Sequence, residues 1–305
     1  EPVPYGVKVR VLSAAQNKLI KLENQSTPEK KSALRVVIHS FFVVPFIIAI
    51  FSVIIFLVAR ILTAEPNTAQ DYLEDVKIGG TTKRWQGAFE LSKILSNPDM
   101  VPKDERFIAE MISTFNYAEF DRDDRIRQYL AIAMGATGDI RYVKTLLDAI
   151  DETESEVTKA SVYALGNIGD SRAVKKIIGL LDNAEPQIRL QAVIALGKIA
   201  DPISIPALTQ MLKDLEPNVR WDAAIALAKQ KNAGGKRILL DLLDRKYLDS
   251  FPNIDEIEQV QVLMVVINIV PLIQDSDFRG PLEELIKSDS NLKVIEAARN
   301  ALLNF

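Results

Sequence analysis

The chain contains no cysteine and a single histidine, His39. Those two scarcities exclude disulfides, thiolate zinc sites, a cysteine nucleophile, multi-histidine metal centres and histidine catalysis away from residue 39. Positive charge is not in excess either. The net charge is −4, which gives no global attraction to nucleic acid, whose partners show a basic face. No glycine-rich loop follows a strand, and no GKS or GKT phosphate-binding sequence occurs. Wholesale disorder is excluded as well, because 48% of the residues are hydrophobic and only 26% charged. No acid–base pair stands out, so the chain reads as a non-enzyme with no cofactor.

Long apolar runs are scarce too, with one exception. Phe41 to Ala59 reads FFVVPFIIAIFSVIIFLVA, 19 residues without a charge. As a helix this segment spans about 28 Å, close to the roughly 30 Å of a bilayer's hydrocarbon core. Val36 to Ile38 and Ile61 to Leu62 lengthen it, which sets a transmembrane helix over 36–62, with Arg60 placed to snorkel and Pro45 as a kink site. A signal peptide would be shorter and nearer the N-terminus, and Leu62-Thr63-Ala64 is a poor cleavage site. A core helix apolar all round would need protein on every side.

Lys18, Lys21, Lys30, Lys31 and Arg35 precede the span, whereas Thr63 to Val76 carries Glu65, Asp71, Glu74 and Asp75 and no basic residue. The positive-inside rule then predicts a single-pass protein with a cytoplasmic N-terminus and the rest of the chain across the membrane. Residues 1–35 form a juxtamembrane segment in which Val7, Val9 and Val11 alternate with Lys8 and Arg10, a weak strand signal. Ser26-Thr27-Pro28 breaks whatever forms there. Residues 63–69 read as a linker.

Beyond the linker a spacing of 31 residues dominates. Ile126, Val157, Ile188 and Val219 repeat at that step, as do Gly135, Gly166 and Gly197, with Ala228 next in the series. Asp139, Asp170 and Asp201 follow, then Leu146, Ile177, Leu208 and Leu239, and Ile150, Leu181, Leu212 and Leu243. A repeat of this length with helical internal pattern predicts a solenoid whose units bury their apolar faces only against neighbours. The clearest pattern is a ten-residue helical motif: IRQYLAIAMG from Ile126, VTKASVYALG from Val157, IRLQAVIALG from Ile188 and VRWDAAIALA from Val219. Its positions one, five, eight and nine are apolar or small, Ser161 excepted, and lie on one helical face. The turn after it ends in an aspartate placed to cap the next helix.

This pattern resembles HEAT repeats, in particular the short HEAT-like repeats of the phycobilisome-lyase type. The resemblance covers roughly 70–305, with degenerate end units at KRWQGAFELS from Lys83, IEQVQVLMVV from Ile257 and LKVIEAARNA from Leu292. It implies an all-α, right-handed α-solenoid of about seven helix pairs over 70–305. It also implies that Arg84, Arg127, Arg189 and Arg220, at position two, form a ladder with the turn aspartates. Asp121, Asp123 and Asp124 read as an acidic helix cap rather than a metal site.

On a helical wheel, positions three and seven turn away from the core. In HEAT-like arrays the motif helices line the concave surface, so both columns are expected to project into it. Position three holds Trp85, Gln128, Lys159, Leu190 and Trp221; position seven holds Phe89, Ile132, Tyr163, Ile194 and Ile225. An exposed apolar stripe marks a binding surface, and tryptophans anchor interfaces; the competing reading rotates the wheel and puts position seven in the core between repeats. The function expected is a membrane-anchored scaffold for protein–protein interaction, an accessory subunit of an integral membrane protein complex such as a transporter. A stand-alone tethered receptor for a peptide or lipid-like ligand, and a chromophore-lyase-related accessory protein, are the alternatives.

Overall fold

The structure, a computed structural model, describes residues 39–63, 67–121, 123–151 and 155–305, and every regular element among them is a helix or helical turn. The chain divides into two compact units, Glu1–Pro66 and Asn67–Phe305.

In the first unit a π-type turn, His39–Val43, runs into α1 (Val44–Thr63). Pro45 falls in the first turn of α1 and not in mid-helix, so the hydrogen bond it cannot donate is missing at the junction of the two helix types. Every side chain from Phe41 to Ala59 is exposed, and the segment is long and apolar enough to cross a membrane, with a mean hydropathy of 3.1. The juxtamembrane segment 1–35 with its basic residues, the expected start of the span at 36–38, and 64–66 of the linker lie outside the described residues.

The second unit contains seven helix pairs. They are α2 (Ala69–Ile78) with α3 (Thr81–Ile94), α4 (Glu105–Tyr117) with α5 (Arg125–Thr137), and α6 (Val143–Ala149) with α7 (Ser155–Ile168). Next come α8 (Val174–Gly179) with α9 (Pro186–Ile199) and α10 (Ile205–Met211) with α11 (Pro217–Lys229). Then α12 (Lys236–Leu242) and the short α13 (Arg245–Asp249) precede α14 (Glu256–Ile269), and α15 (Arg279–Ser288) precedes α16 (Leu292–Leu302). The motif helices α3, α5, α7, α9 and α11 pack side by side in that order, and α14 and α16 continue the row with looser contact.

The glycine period has a steric cause. A Cβ at Gly166 would lie 2.8 Å from the Ala195 Cα and 2.9 Å from its Cβ, and one at Gly197 would lie 2.8 Å from the Ala226 Cβ. Gly135 sits against Ala164 in the same way. Position ten of each motif therefore receives position eight of the next, and two helix backbones approach where no side chain fits. Ser161, the polar exception in the motif, is fully buried with no hydrogen-bond partner for its hydroxyl among the described residues.

The turns after the motif helices repeat one backbone device. Gly138, Gly169, Ala200, Lys231 and Gln274 all adopt the left-handed conformation, with φ between 54° and 74°. The next residue caps the following helical turn: Asp139 accepts from the Arg141 N–H at 2.9 Å, Asp170 from Arg172 at 2.8 Å and Asp201 from Ile203 at 2.9 Å. Asn232 accepts from Gly234 at 2.8 Å and Asp275 from Asp277 at 3.0 Å. The sequence reading finds the first three caps but passes over the last two. There a lysine or glutamine stands where glycine is the usual left-handed residue, at a cost of about 1 kcal/mol each.

The expected arginine ladder is corrected. The carboxylates of Asp139 and Asp170 are held by Arg141 and Arg172, two residues on. Position-two arginines instead reach the loop between the two helices of a pair. Arg189 grips Asp214 with two bonds of 2.8 and 2.9 Å, and Arg84 grips Asp121 with bonds of 2.6 and 2.7 Å. Arg220 donates to the carbonyls of Asp214 at 2.7 Å and Leu215 at 2.9 Å, and Arg127 lies over the Phe115 ring at 4.5 Å. The reason is distance. Position two opens the motif helix while the turn aspartate follows its far end, about 18 Å away at helical rise. Asp121 is thus an arginine partner; only Asp123 of the proposed acidic cap accepts from a backbone N–H, that of Arg125 at 3.2 Å.

The register of the last two motifs shifts by two residues. Ile257 and Leu292 are 70% and 80% exposed, whereas Gln259, Leu263, Val266 and Ile267, and then Val294, Ala298 and Ala301, are buried. Position one is therefore Gln259 in α14 and Val294 in α16. Gln259 survives burial because Arg245 donates to its side-chain oxygen at 3.2 Å and its amide donates to Asp249 at 3.1 Å. From Val219 to Gln259 is nine residues more than the 31-residue step, and the excess falls within α13 and the loop 250–255. There the core divides: Ala223, Ala226 and Leu227 of α11 belong to the N-terminal cluster, Trp221, Ala224 and Ala228 to the C-terminal one.

Candidate functional site

The stripe of positions three and seven differs along its length. None of the position-seven residues is core: Phe89 is 36% and Tyr163 37% exposed, and Ile132, Ile194 and Ile225 are half-buried. In position three, Trp85, Gln128, Lys159 and Leu190 are half-buried, but Trp221 is only 5% exposed. Trp221 is therefore a correction to an outward-projecting column. The Phe251 ring meets it edge-on at 4.9 Å, and its indole N–H donates to the Tyr247 hydroxyl at 3.3 Å. Both partners come from the extra nine residues.

Cations cover the N-terminal part of the stripe. The Arg125 guanidinium lies 4.5 Å from the Trp85 ring, Lys93 5.1 Å from Phe89, and Lys198 4.6 Å from Tyr163. Phe89 also meets Tyr129 edge-on at 5.2 Å, and Lys159 is paired with Glu156 at 2.6 Å. Gln128, Ile132 and Ile194 lie between, each half-buried. Each cation–ring contact at this exposure is worth about 0.5–1 kcal/mol and leaves less open apolar surface.

At the C-terminal end the stripe opens into a groove of about 570 Å³ between α11, α14 and the loop 250–255, with Leu190 of α9 at its edge. Of the predicted residues it brings together Leu190, Trp221 and Ile225. In the corrected register Val265 of α14 is the next position seven and Gln261 the next position three, and both line the groove with Val262, Phe251 and Ile254. Its charged residues are Glu216, Asp222 and Glu258, with no lysine or arginine in the lining. The loose seating of α14 on α11 leaves this space, and the inserted loop walls one side.

Asp222 is the residue that sequence reasoning missed. It occupies position four of its motif, where the other units carry Gln86, Tyr129, Ala160 and Gln191. Among the described residues its carboxylate has no hydrogen bond and no ion pair; burial pushes its pKa up to about 6, against a smaller opposing pull from Lys229. A lone acidic residue in a column of neutral ones is the signal that was available. Among the described residues no three metal-ligating side chains converge.

That carboxylate has a consequence for stability. Its pKa is higher in the folded chain than in the unfolded one, so the folded state holds the proton more tightly. Stability then falls as pH rises from about 4 to about 6 and stays reduced above. Burial is the dominant cause, and the attraction of Lys229 opposes it only in part. Asp222→Asn is expected to stabilise the chain by about 2 kcal/mol at pH 7.5 and by less than half of that near pH 4.5. Thermal denaturation at the two pH values measures it, and equal shifts at both would show that Asp222 is well solvated.

A family model for HEAT repeats matches residues 114–187 and 174–249. No curated protein sequence matches the chain. Among solved structures, the complex of CpcE and CpcF of phycocyanin lyase from Nostoc sp. is similar at 18% identity over 79% of this chain and 89% of that one, with a TM-score of 0.57. YibA of Escherichia coli shares 17% identity over 77% of this chain and 81% of its own, with a TM-score of 0.49. A designed armadillo repeat protein in complex with the peptide (KR)4 shares 17% over 79% and 100%, with a TM-score of 0.41. At these identities the likeness is one of fold. The central part of the chain is built of HEAT repeats, and the whole second unit is an all-helical repeat array of the kind found in CpcE and CpcF.

Proposed function

We propose that this protein is a membrane-tethered HEAT-repeat scaffold, not an enzyme, which binds another protein as an accessory subunit of a larger membrane assembly. The observation that carries the reading is the groove at the end of the motif-helix row. It gathers seven apolar side chains on a regular array. Concave, mostly apolar sites with a few polar groups are where proteins take their ligands. The uncovered 19-residue apolar segment of α1 supports the tether. The basic residues before it and the acidic ones after it support a cytoplasmic N-terminus.

Purification of the native chain in mild detergent, followed by mass analysis of what accompanies it, tests this reading. Stoichiometric integral membrane partners that are lost from an Ile225→Arg variant are expected. A chain that washes from membranes with carbonate, or travels alone in detergent, sinks it. A second reading, a pigment-handling protein related to lyases, has the likeness to CpcE and CpcF in its favour. Visible absorbance from a bound chromophore in the purified chain is the result that would establish it.

A further inference from the structure

The groove's chemistry is specific enough to name what it takes. Leu190, Ile225, Ile254, Val262 and Val265 with the edges of Trp221 and Phe251 are apolar, Asn218, Asn253 and Gln261 are neutral and polar, and every charged residue of the lining, Glu216, Asp222 and Glu258, is acidic. A purely apolar ligand would bury the Asp222 carboxylate further without compensation, which offsets the gain from apolar contact. An acidic ligand would add like charges to that cost. A cation carried between apolar side chains satisfies the apolar and the acidic walls at once.

Asp222 points to the same ligand. It is a carboxylate withdrawn from water on an array that otherwise pairs its buried carboxylates. Asp214 has Arg189, Asp121 has Arg84 and Asp289 has Arg245. Among the described residues Asp222 alone of these has no arginine or lysine within ion-pair distance and no hydrogen bond. The partner it lacks within the chain is the group that a ligand would supply. Resting on the reading of the groove as the binding face, we propose that it captures a peptide segment of the partner protein with a lysine or arginine flanked by apolar side chains, the cation pairing with Asp222.

In that complex the cation lies against Asp222 with Glu216 and Glu258 at the rim, and the flanking side chains cover Ile225, Val262 and Val265. Arginine is favoured over lysine because its planar fork can bond a carboxylate with two parallel N–H groups. The raised pKa of the free carboxylate fits a site held in readiness: the incoming cation favours the ionised form and draws the proton off.

Selection of a random decapeptide phage library against the full chain in non-ionic detergent tests the proposal. Selected peptides are expected to be rich in arginine or lysine between apolar residues and depleted of aspartate and glutamate. Chemically synthesised winners should bind Asp222→Asn at least tenfold more weakly. That variant is nearly isosteric, and its expected gain in thermal stability shows independently that it folds. Winners whose affinity is unchanged by Asp222→Asn, or that show no basic enrichment, overturn this proposal but leave the groove as a binding face. Failure to select any peptide that Ile225→Arg abolishes removes the groove reading itself.

Discussion

Gly166→Val should destabilise the array by about 3 kcal/mol or more, among the largest effects any single substitution has here. Glycine inside a helix normally costs about 1 kcal/mol relative to alanine, so even Gly166→Ala would be stabilising on propensity alone. Here the sign reverses. The new Cβ would sit 2.8 Å from a backbone Cα of Ala195, an atom that no rotamer change can move. Relief requires α7 and α9 to separate, which also opens the packing of Leu165 and Leu196, both fully buried. Overpacking of that kind costs 1–3 kcal/mol, and occasionally more. Gly179 supplies the control: it is exposed, right-handed helical, and has nothing within 4 Å of an added Cβ. Gly179→Ala should gain about half a kcal/mol. Urea denaturation of both variants decides the matter, and a stabilising Gly166→Ala would mean that the two helices have slack.

Asp214→Ala is expected to cost about 3 kcal/mol, far more than a surface ion pair. Its side chain is 6% exposed and that of Arg189 13%. Truncation leaves the guanidinium without its carboxylate where little water reaches it, and removing one member of a buried pair is worth 3–5 kcal/mol. The same carboxylate accepts the Glu216 N–H at 2.9 Å, so the entry to α11 loses its anchor as well. Hydrogen bonds from Arg189 hold the Asp214 carboxyl below the usual carboxylate range. This stabilisation is therefore present above about pH 4 and is lost as acid protonates the group. Hydrogen exchange at the amides of α9 and α11, run beside chemical denaturation, measures it. A loss under 1 kcal/mol would class the pair with solvent-screened surface bridges.

The period of 31 residues is enough to foresee the helical pairs and three of the five caps, while the repeated glycines appear in it without the helix contacts they make. It failed where the step changes. Nine extra residues after Val219 and a glutamine at the first core position of α14 hid the register, because the apolar run VQVLMVV fits two registers equally well. With the register lost, Val265 could not be placed beside Ile225, and the groove was not foreseeable. Trp221 shows the limit of a wheel drawn for one helix. Its place in the stripe is right, but its exposure is decided by Tyr247 and Phe251, which the repeat does not contain. The arginine partners were misassigned because resemblance supplied the pairing, and helical length along the motif, about 1.5 Å per residue, forbids it.

The division of the core at α11 bears on how the array responds to load. Units stacked in a row behave as springs in series, each carrying the same force, so extension concentrates in the most compliant joint. Between α5 and α11 every joint is clamped by close helix contact such as Gly166 on Ala195, and is stiff. The joint between α11 and α14 has no such clamp, and a cavity opens between the two helices. A pull along the row would therefore stretch this joint first and widen the groove, making grip on whatever lies there a function of tension.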